Sequence, residues 1–304
     1  MTDVTEITPA FLDRIPLPSL ESGDKEARGR VLVVAGCSEL PGAALLAGLG
    51  VLRAGAGKVQ VATCAGVAAH LGVAVPEARV IGLPETDTGA IAPRSAIALV
   101  PRAAACGAVV VGPGMIDEAA SGALAAELLG GLDGPPIVLD AAALSGLSAR
   151  RRLLGRHGCR IVVTPHPGEM ASIMGMSKEE VEARPHEVAL FASASLGVVV
   201  VLKGAETWIA APDGAAWVFR NGCIGLATAG SGDVLAGVIG GLLARGADPV
   251  QAAAWAVHVH GEAGQRLTQS QGAVGFLARE LSWTRYRASW PAVRHVAAAA
   301  TEVP

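Results

Sequence analysis

The sequence predicts an α/β fold with a mostly parallel sheet and helices on its faces. Three observations predict it. Short, continuous, valine-rich apolar runs recur along the chain, as expected of strands buried on both sides. Alanine- and leucine-rich helical stretches alternate with them. Nearly every strand run ends in a turn containing Gly, Pro or a charged residue, and in open α/β sheets ligands bind beyond the carboxyl ends of the strands.

The elements follow in order. Residues 1–29 carry prolines and charges and read as a surface arm. Val31–Ala35 is a strand that ends at Gly36. The turn Cys37–Gly42 leads into a helix from Ala43 to about Ala54. Lys58–Ala62 is the next strand, so the order is β-turn-α-β and the strands are parallel. Ala108–Val111 is a strand ending at Gly112-Pro113-Gly114. Ser121–Leu129 is a helix, and Ile137–Leu139 is a strand ending at Asp140. Arg160–Val163 is a strand running into Thr164-Pro165-His166-Pro167-Gly168-Glu169. Lys178–Ser195 reads as one helix, and Val198–Leu202 as a strand ending at Lys203-Gly204. Thr207–Ala210 and Ala216–Phe219 form a hairpin around Asp213-Gly214. Pro249–Leu267 is helical. No element is assigned past Ser282, where Trp283, Tyr286 and Trp290 fall. One domain is expected: an arm to residue 29, a core from 30 to 281 and a tail from 282.

Bulk properties exclude several classes. The 304 residues are 51% hydrophobic and 17% charged, enough for a large buried core. A net charge of −3 gives no general pull toward nucleic acid or anionic membranes. Cys37, Cys64, Cys106, Cys159 and Cys223 contain no C-x-x-C pair, which speaks against disulfides and a zinc site and for a cytoplasmic setting. The N-terminal stretch bears acids and prolines and does not read as a signal peptide. No apolar run reaches the roughly 20 residues of a membrane span.

The chemistry concentrates between Asn221 and Gly246. The small-residue run Ala227-Thr228-Ala229-Gly230-Ser231-Gly232 brings bare backbone N–H groups toward a ligand. A helix follows, with Leu235, Ile239, Leu242 and Leu243 at three- and four-residue steps, and Gly246 closes it. A glycine turn feeding a helix start is an anion site. Asp233 at that start suits the helix dipole but repels a phosphate unless it has a separate task. Proton abstraction from a substrate hydroxyl is such a task. Other motifs are weaker alone. Gly112-Pro113-Gly114 is a tight turn at a strand end. Two prolines hold the backbone rigid around His166. Lys203-Gly204-Ala205-Glu206-Thr207 offers a cation and a close backbone approach. His258, His260 and Glu262 do not share one helix face, so no metal site is assigned. Neither a P-loop nor a G-x-G-x-x-G motif opens the first βα unit. Gly36, Gly112, Asp140, His166, Lys203 and Gly232 are expected to share one crevice.

In this order the motifs resemble the ADP/ATP-dependent NAD(P)H-hydrate dehydratases, a branch of the ribokinase-like superfamily. The resemblance is carried by Val33-Val34-Ala35-Gly36 with Pro41-Gly42-Ala43-Ala44, Arg53-Ala54-Gly55-Ala56-Gly57, Pro76-Glu77-Ala78, Val111–Gly114 and Leu139-Asp140-Ala141. It continues through the TPHPGE run, Lys203-Gly204, the LATAGSGDVLAG run and His260-Gly261-x-Ala263-Gly264. It departs where Met115-Ile116-Asp117 follows Gly114, a place where a glycine is expected. The resemblance implies a three-layer α/β/α sandwich that restores hydrated NADH or NADPH while ADP or ATP is cleaved, with Mg²⁺ as cofactor. It implies that Ala43, Gly112, Gly114, His166 and Asp233 contact the hydrate. It implies that Lys203–Thr207 (Lys203, Gly204, Ala205, Glu206, Thr207) and Ala229, Gly230, Ser231 and Gly232 contact the nucleotide. Asp233 is the expected general base, and a homo-oligomer, a tetramer first, is the expected assembly. Two alternatives use the same residues: a ribokinase-like kinase of a small alcohol or vitamin precursor, and a catalytically silent nucleotide-binding protein.

Overall fold

The computed structural model describes residues 4–19 and 24–283. Its elements are β1 (Val4–Glu6), α1 (Pro9–Leu12), β2 (Arg30–Val34), α2 (Pro41–Arg53), β3 (Lys58–Cys64), α3 (Ala65–Ala74) and β4 (Ala78–Leu83). There follow α4 (Ala96–Ala104), β5 (Ala108–Val111), α5 (Glu118–Gly131), β6 (Ile137–Leu139), α6 (Arg151–His157), β7 (Ile161–Val163), α7 (Pro167–Met174) and α8 (Lys178–Ala183). The rest are α9 (Pro185–Leu196), β8 (Val199–Leu202), β9 (Thr207–Ala210), β10 (Ala216–Phe219), α10 (Ser231–Ala244), α11 (Pro249–Gln271) and α12 (Ala278–Trp283).

The strands form one sheet in the order β1-β10-β9-β8-β7-β6-β5-β2-β3-β4. All neighbours pair in parallel except those flanking β9, which runs against the rest. Alternate strand residues point to opposite faces, and both faces are covered. Val31, Val33, Val110, Val138 and Val162 pack under α2, α10 and α11. Leu32, Val34, Val109, Val111 and Val163 pack under α4, α5, α7 and α9. The result is a three-layer α/β/α sandwich with a mostly parallel sheet, as the strand runs predict. β2 continues into β3 and β4 on one side while β5 pairs on its other side. The sheet order therefore reverses between β2 and β5, where a crevice opens beyond the strand ends.

α2 and α10 meet almost backbone to backbone. A Cβ on Gly50 would stand 2.6 Å from the Val234 carbonyl oxygen, and one on Gly237 would stand 2.1 Å from that of Ala47. A Cβ on Gly241 would meet the Val51 oxygen at 2.7 Å. Only glycine fits these crossings, and the crossings fix the two helix starts side by side.

The structure differs from the sequence reading in several places. The arm is not wholly peripheral: β1 adds a parallel strand beside β10, with Val4 opposite Ala216, and Ile7 and Leu12 are buried. The stretch read as one helix from Lys178 is two. It breaks at Arg184, which takes extended φ −139° because Pro185 disfavours helical backbone at the residue before it. α3, β4 and α4 were not anticipated. Ser282 and Trp283 belong to α12 rather than to a tail; Tyr286 and Trp290 lie outside the described residues.

Candidate active site

The start of α10 is shaped by Gly230, whose φ of +88° is left-handed and whose Cβ, if present, would lie 2.4 Å from Leu46 Cδ1. No side chain caps this helix. The Ser231 N–H donates to the Thr228 oxygen at 3.2 Å. The Gly232 and Asp233 N–H groups precede the intrahelical ladder and combine with the positive dipole end to favour an anion.

Lys203 reaches this turn from the end of β8. A Cβ on Gly232 would lie 3.2 Å from Lys203 Nζ. Its ammonium donates to Asp140 Oδ1 at 3.0 Å, and the same oxygen accepts from the Thr164 hydroxyl at 2.7 Å. Asp140 and Thr164 are buried, so the pair is dry on one side and holds Lys203 in place. Burial alone pulls the ammonium down, but Asp140, Glu169 and Asp233 outweigh it and hold Lys203 above its ordinary value. It stays a cation.

Asp233 behaves in the opposite way. Burial first, and the Asp140 charge second, push its carboxyl from 3.8 up to about 7; Lys203 and the Gly114 N–H pull in the other direction. A carboxyl that titrates near neutrality is a matched general base, and such perturbed groups cluster at reactive sites.

Gly114 brings the second helix start to the same place. Its φ is +67°, and a Cβ there would stand 2.3 Å from Ala43 Cβ and 3.0 Å from the Leu40 carbonyl oxygen. The Gly36 N–H donates to the Pro113 oxygen at 2.7 Å. Gly112 has φ +120°, and its Cβ would collide with the Asp140 oxygen at 1.8 Å. Ala43, Gly114 and Asp233 thus meet beyond the ends of β2 and β5, with Gly112 beside Asp140. None of the four lines either of the cavities that adjoin His166. Gly114→Ala is expected to lower stability by about 2 kcal/mol or more, from left-handed backbone and the Ala43 contact together. A urea midpoint unchanged from the parent would refute the close approach.

Where a glycine was expected after Gly114, the chain has Met115, which is buried, and Ile116, which is half exposed. Asp117 caps α5 by accepting from the Ala120 N–H at 2.9 Å.

His166 is the N-cap of α7. Its Nδ1 accepts from the Gly168 and Glu169 N–H groups at 3.0 and 3.2 Å, while Glu169 accepts from the His166 N–H at 2.7 Å. The ring proton therefore sits on Nε2, 3.5 Å from Glu169 Oε1.

Two cavities meet at His166 and Gly168. The larger, of about 950 Å³, is lined by Lys203, Gly204, Ala205, Thr207, Ser231 and Gly232 among others. The smaller, of about 370 Å³, lies between Met115, Ile116, Ser145 and Ser172. Glu206 does not line either cavity; it pairs outward with Arg220 Nε at 3.0 Å. Ala229 and Gly230 form the turn behind the larger cavity without lining it. Thr228, part of the small-residue run expected to face a ligand, lines the cavity wall, as does His260, to which the sequence reading gave no site role. The Thr164–Asp140–Lys203 chain was not foreseen. No spacing signal announces a hydrogen bond between residues 63 apart.

Among the described residues no group of three or more His, Cys, Asp or Glu could hold a metal ion. No helix among them is long and apolar enough to cross a membrane.

Comparison with known proteins bears on the family and the fold. The family model described as NAD(P)H-hydrate dehydratase matches residues 31–287. A relative from Xanthomonas campestris pv. campestris, named ADP-dependent (S)-NAD(P)H-hydrate dehydratase, is 48% identical over 91% of this chain and 93% of its own. The crystal structure of the ADP/ATP-dependent NAD(P)H-hydrate dehydratase from Bacillus subtilis, co-crystallised with ATP/Mg²⁺, superposes with a TM-score of 0.79 at 31% identity. It covers 96% of this chain and 100% of that one. A ribokinase-like superfamily protein from Enterococcus faecalis superposes with a TM-score of 0.77 over 94% of this chain and 95% of its own; at 24% identity that likeness is one of fold alone.

Proposed function

The chain belongs to the NAD(P)H-hydrate dehydratase family, and from that premise we infer that it dehydrates the S-form of hydrated NADH or NADPH while ADP or ATP is cleaved. The observation that carries this reading is Asp233. It is a carboxyl titrating at about 7, on the first turn of an uncapped helix, with the Lys203 ammonium packed over the neighbouring Gly232.

Hydroxide is a poor leaving group, and the residues supply a way around it. Asp233 takes the proton from the ring hydroxyl. The alkoxide oxygen forms a bond to the terminal phosphoryl group as that group parts from the nucleotide, leaving AMP from ADP or ADP from ATP. The Gly230–Asp233 turn and Lys203 hold the charge that develops on the phosphoryl oxygens. The ring nitrogen lone pair then expels phosphate, and loss of a proton from the adjacent ring carbon completes the dihydronicotinamide. The larger cavity suits the nucleotide, and the smaller one, which runs from Met115, next to Gly114, to His166, suits the hydrate.

Mg²⁺ is part of the proposal. Such an ion needs only one or two carboxylates when phosphates supply the remaining oxygens. That fits a site with Asp140, Glu169 and Asp233 all within electrostatic reach of Lys203 but with no protein cage. When bound, it would neutralise phosphate charge. Asp140 is engaged through Oδ1 with Lys203 and Thr164 and Glu169 through Oε2 with the His166 N–H, so either would serve the ion with its second oxygen.

The direct test is incubation with hydrated NADH and ADP. Recovery of dihydronicotinamide absorbance with release of phosphate is expected. A stable phosphate ester of another alcohol, with no recovery, would favour a small-alcohol kinase instead. The pH profile follows from Asp233. The base must be charged, so kcat/KM is expected to fall about tenfold per unit below pH 7 and to level off above it. A flat profile between pH 5.5 and 8 would remove Asp233 as the base.

We also assign the reaction to the cytoplasm, in keeping with five free cysteines, three of them buried. A homo-oligomer, a tetramer first, is supported by exposed Val73, Ile97 and Phe191; light scattering checks it.

A further inference from the structure

We propose that His260 is a positioning residue that sets the Ser231 hydroxyl to donate to the nucleotide phosphate. The inference rests on the nucleotide reading of the larger cavity and assigns a task to a side chain that the reaction above does not use.

His260 sits inside α11, and Ser231 is the first residue of α10. Both are buried, and both line the larger cavity beside Gly232 and Lys203. His260 Nε2 lies 3.1 Å from the Ser231 carbonyl oxygen and 3.1 Å from Ser231 Oγ. A carbonyl oxygen only accepts, so Nε2 carries the ring proton. With that proton in place Nε2 has no lone pair to offer. The Ser231 hydroxyl therefore accepts from the ring and cannot donate to it. Its own proton has no other partner among the described residues and is available to an acceptor in the cavity. A phosphate oxygen on the adjacent amide turn is such an acceptor.

Charge supports the same role. Burial first, and Lys203 after it, push the His260 ring down to about 4. The ring is neutral at working pH, so it adds no positive charge to the site and contributes orientation alone. Its neighbours explain why the surrounding residues are small. A Cβ on Gly261 would lie 2.2 Å from Phe219 Cε1, and one on Gly264 would lie 2.7 Å from Leu226 Cγ. These glycines let α11 lie close against Phe219 of β10 and against Leu226 in the loop that precedes α10. His258, two residues earlier, faces elsewhere, with its ring edge-on to Phe219 at 5.9 Å.

The experiment compares ADP affinity by calorimetry, in the presence of Mg²⁺, and hydrate turnover for the parent, His260→Leu, His260→Gln and Ser231→Ala. His260→Leu is expected to weaken ADP binding about tenfold or more, the worth of one hydrogen bond to a charged group, with the hydrate KM within about twofold. His260→Gln, whose amide N–H reaches a similar point, is expected to restore affinity to within about threefold. Ser231→Ala should match His260→Leu, and the double variant should be no worse than either single one. ADP affinity equal to the parent in Ser231→Ala, failure of His260→Gln to restore it, or multiplying effects in the double variant would overturn the proposal. Should His260→Leu fail to fold, the Ser231→Ala and His260→Gln results still decide. A parent protein that binds no ADP would overturn the functional reading itself, and this proposal with it.

Discussion

Asp233→Asn is expected to lower kcat/KM for hydrate dehydration by about 10³-fold or more, since removal of a positioned base forfeits most of what general-base catalysis supplies. ADP affinity is expected to stay within about threefold, because the amide turn at Gly230–Gly232 and Lys203 remain. Turnover at the parental rate would end the assignment of the base. The same change is expected to stabilise the fold. A carboxyl raised from 3.8 to about 7 contributes stability below pH 3.8 that is lost as pH rises through 7. Above neutrality the folded chain holds a poorly solvated charge. The shift sets a ceiling of about 4 kcal/mol, reduced in practice because Lys203 loses a favourable neighbour in the variant. A gain of about 1–2 kcal/mol at pH 8, vanishing below pH 4, is expected from urea unfolding. Loss of activity joined to a gain in stability distinguishes a reactive group from a structural one.

Gly237→Ala is expected to be the more damaging change to the fold. Its methyl group would stand 2.1 Å from the Ala47 oxygen, and backbone on a packed helix cannot give way as a side chain end does. A loss of about 3 kcal/mol or more is expected, at the upper end of overpacking effects. The harm is not confined to stability. α2 and α10 carry Ala43 and Asp233 at their starts, so forcing the helices apart moves the two halves of the crevice relative to each other. The folded fraction is expected to show a raised KM for hydrate. Gly130→Ala is the control. It lies in α5 with nothing within 4 Å of its added methyl, and a gain of up to about 1 kcal/mol is expected there. Equal behaviour of the two variants would refute the role of the helix crossing.

Much of this architecture was legible before any coordinates. The buried parallel strands announce themselves as unbroken valine runs, and the Thr207–Ala210 and Ala216–Phe219 hairpin has the predicted bounds. The α3 segment AGVAAHLGVA was missed because its apolar residues fall on all sides, leaving no period to detect. β1 was missed because three residues are too few to show alternation. The Pro185 break was readable in principle, since the residue before a proline resists helical backbone. The site divides in the same way. Asp233 and its glycine turn are local in sequence and were visible. Asp140 and Lys203 were expected in one crevice as strand-end residues, but their shared contact with Thr164 follows from the parallel order of β6, β7 and β8, which no spacing encodes. Helix geometry did separate His258 from His260, but only the fold shows that the second of them reaches Ser231.

β1 has a consequence for association between molecules. A sheet border is a template on which further strands can assemble. Among the described residues that border is three residues long, and Pro9, which has no N–H to donate, follows it within three residues. Strand-by-strand growth on this side has little to grip among the described residues, which leaves the six-residue β4 at the opposite border as the longer template.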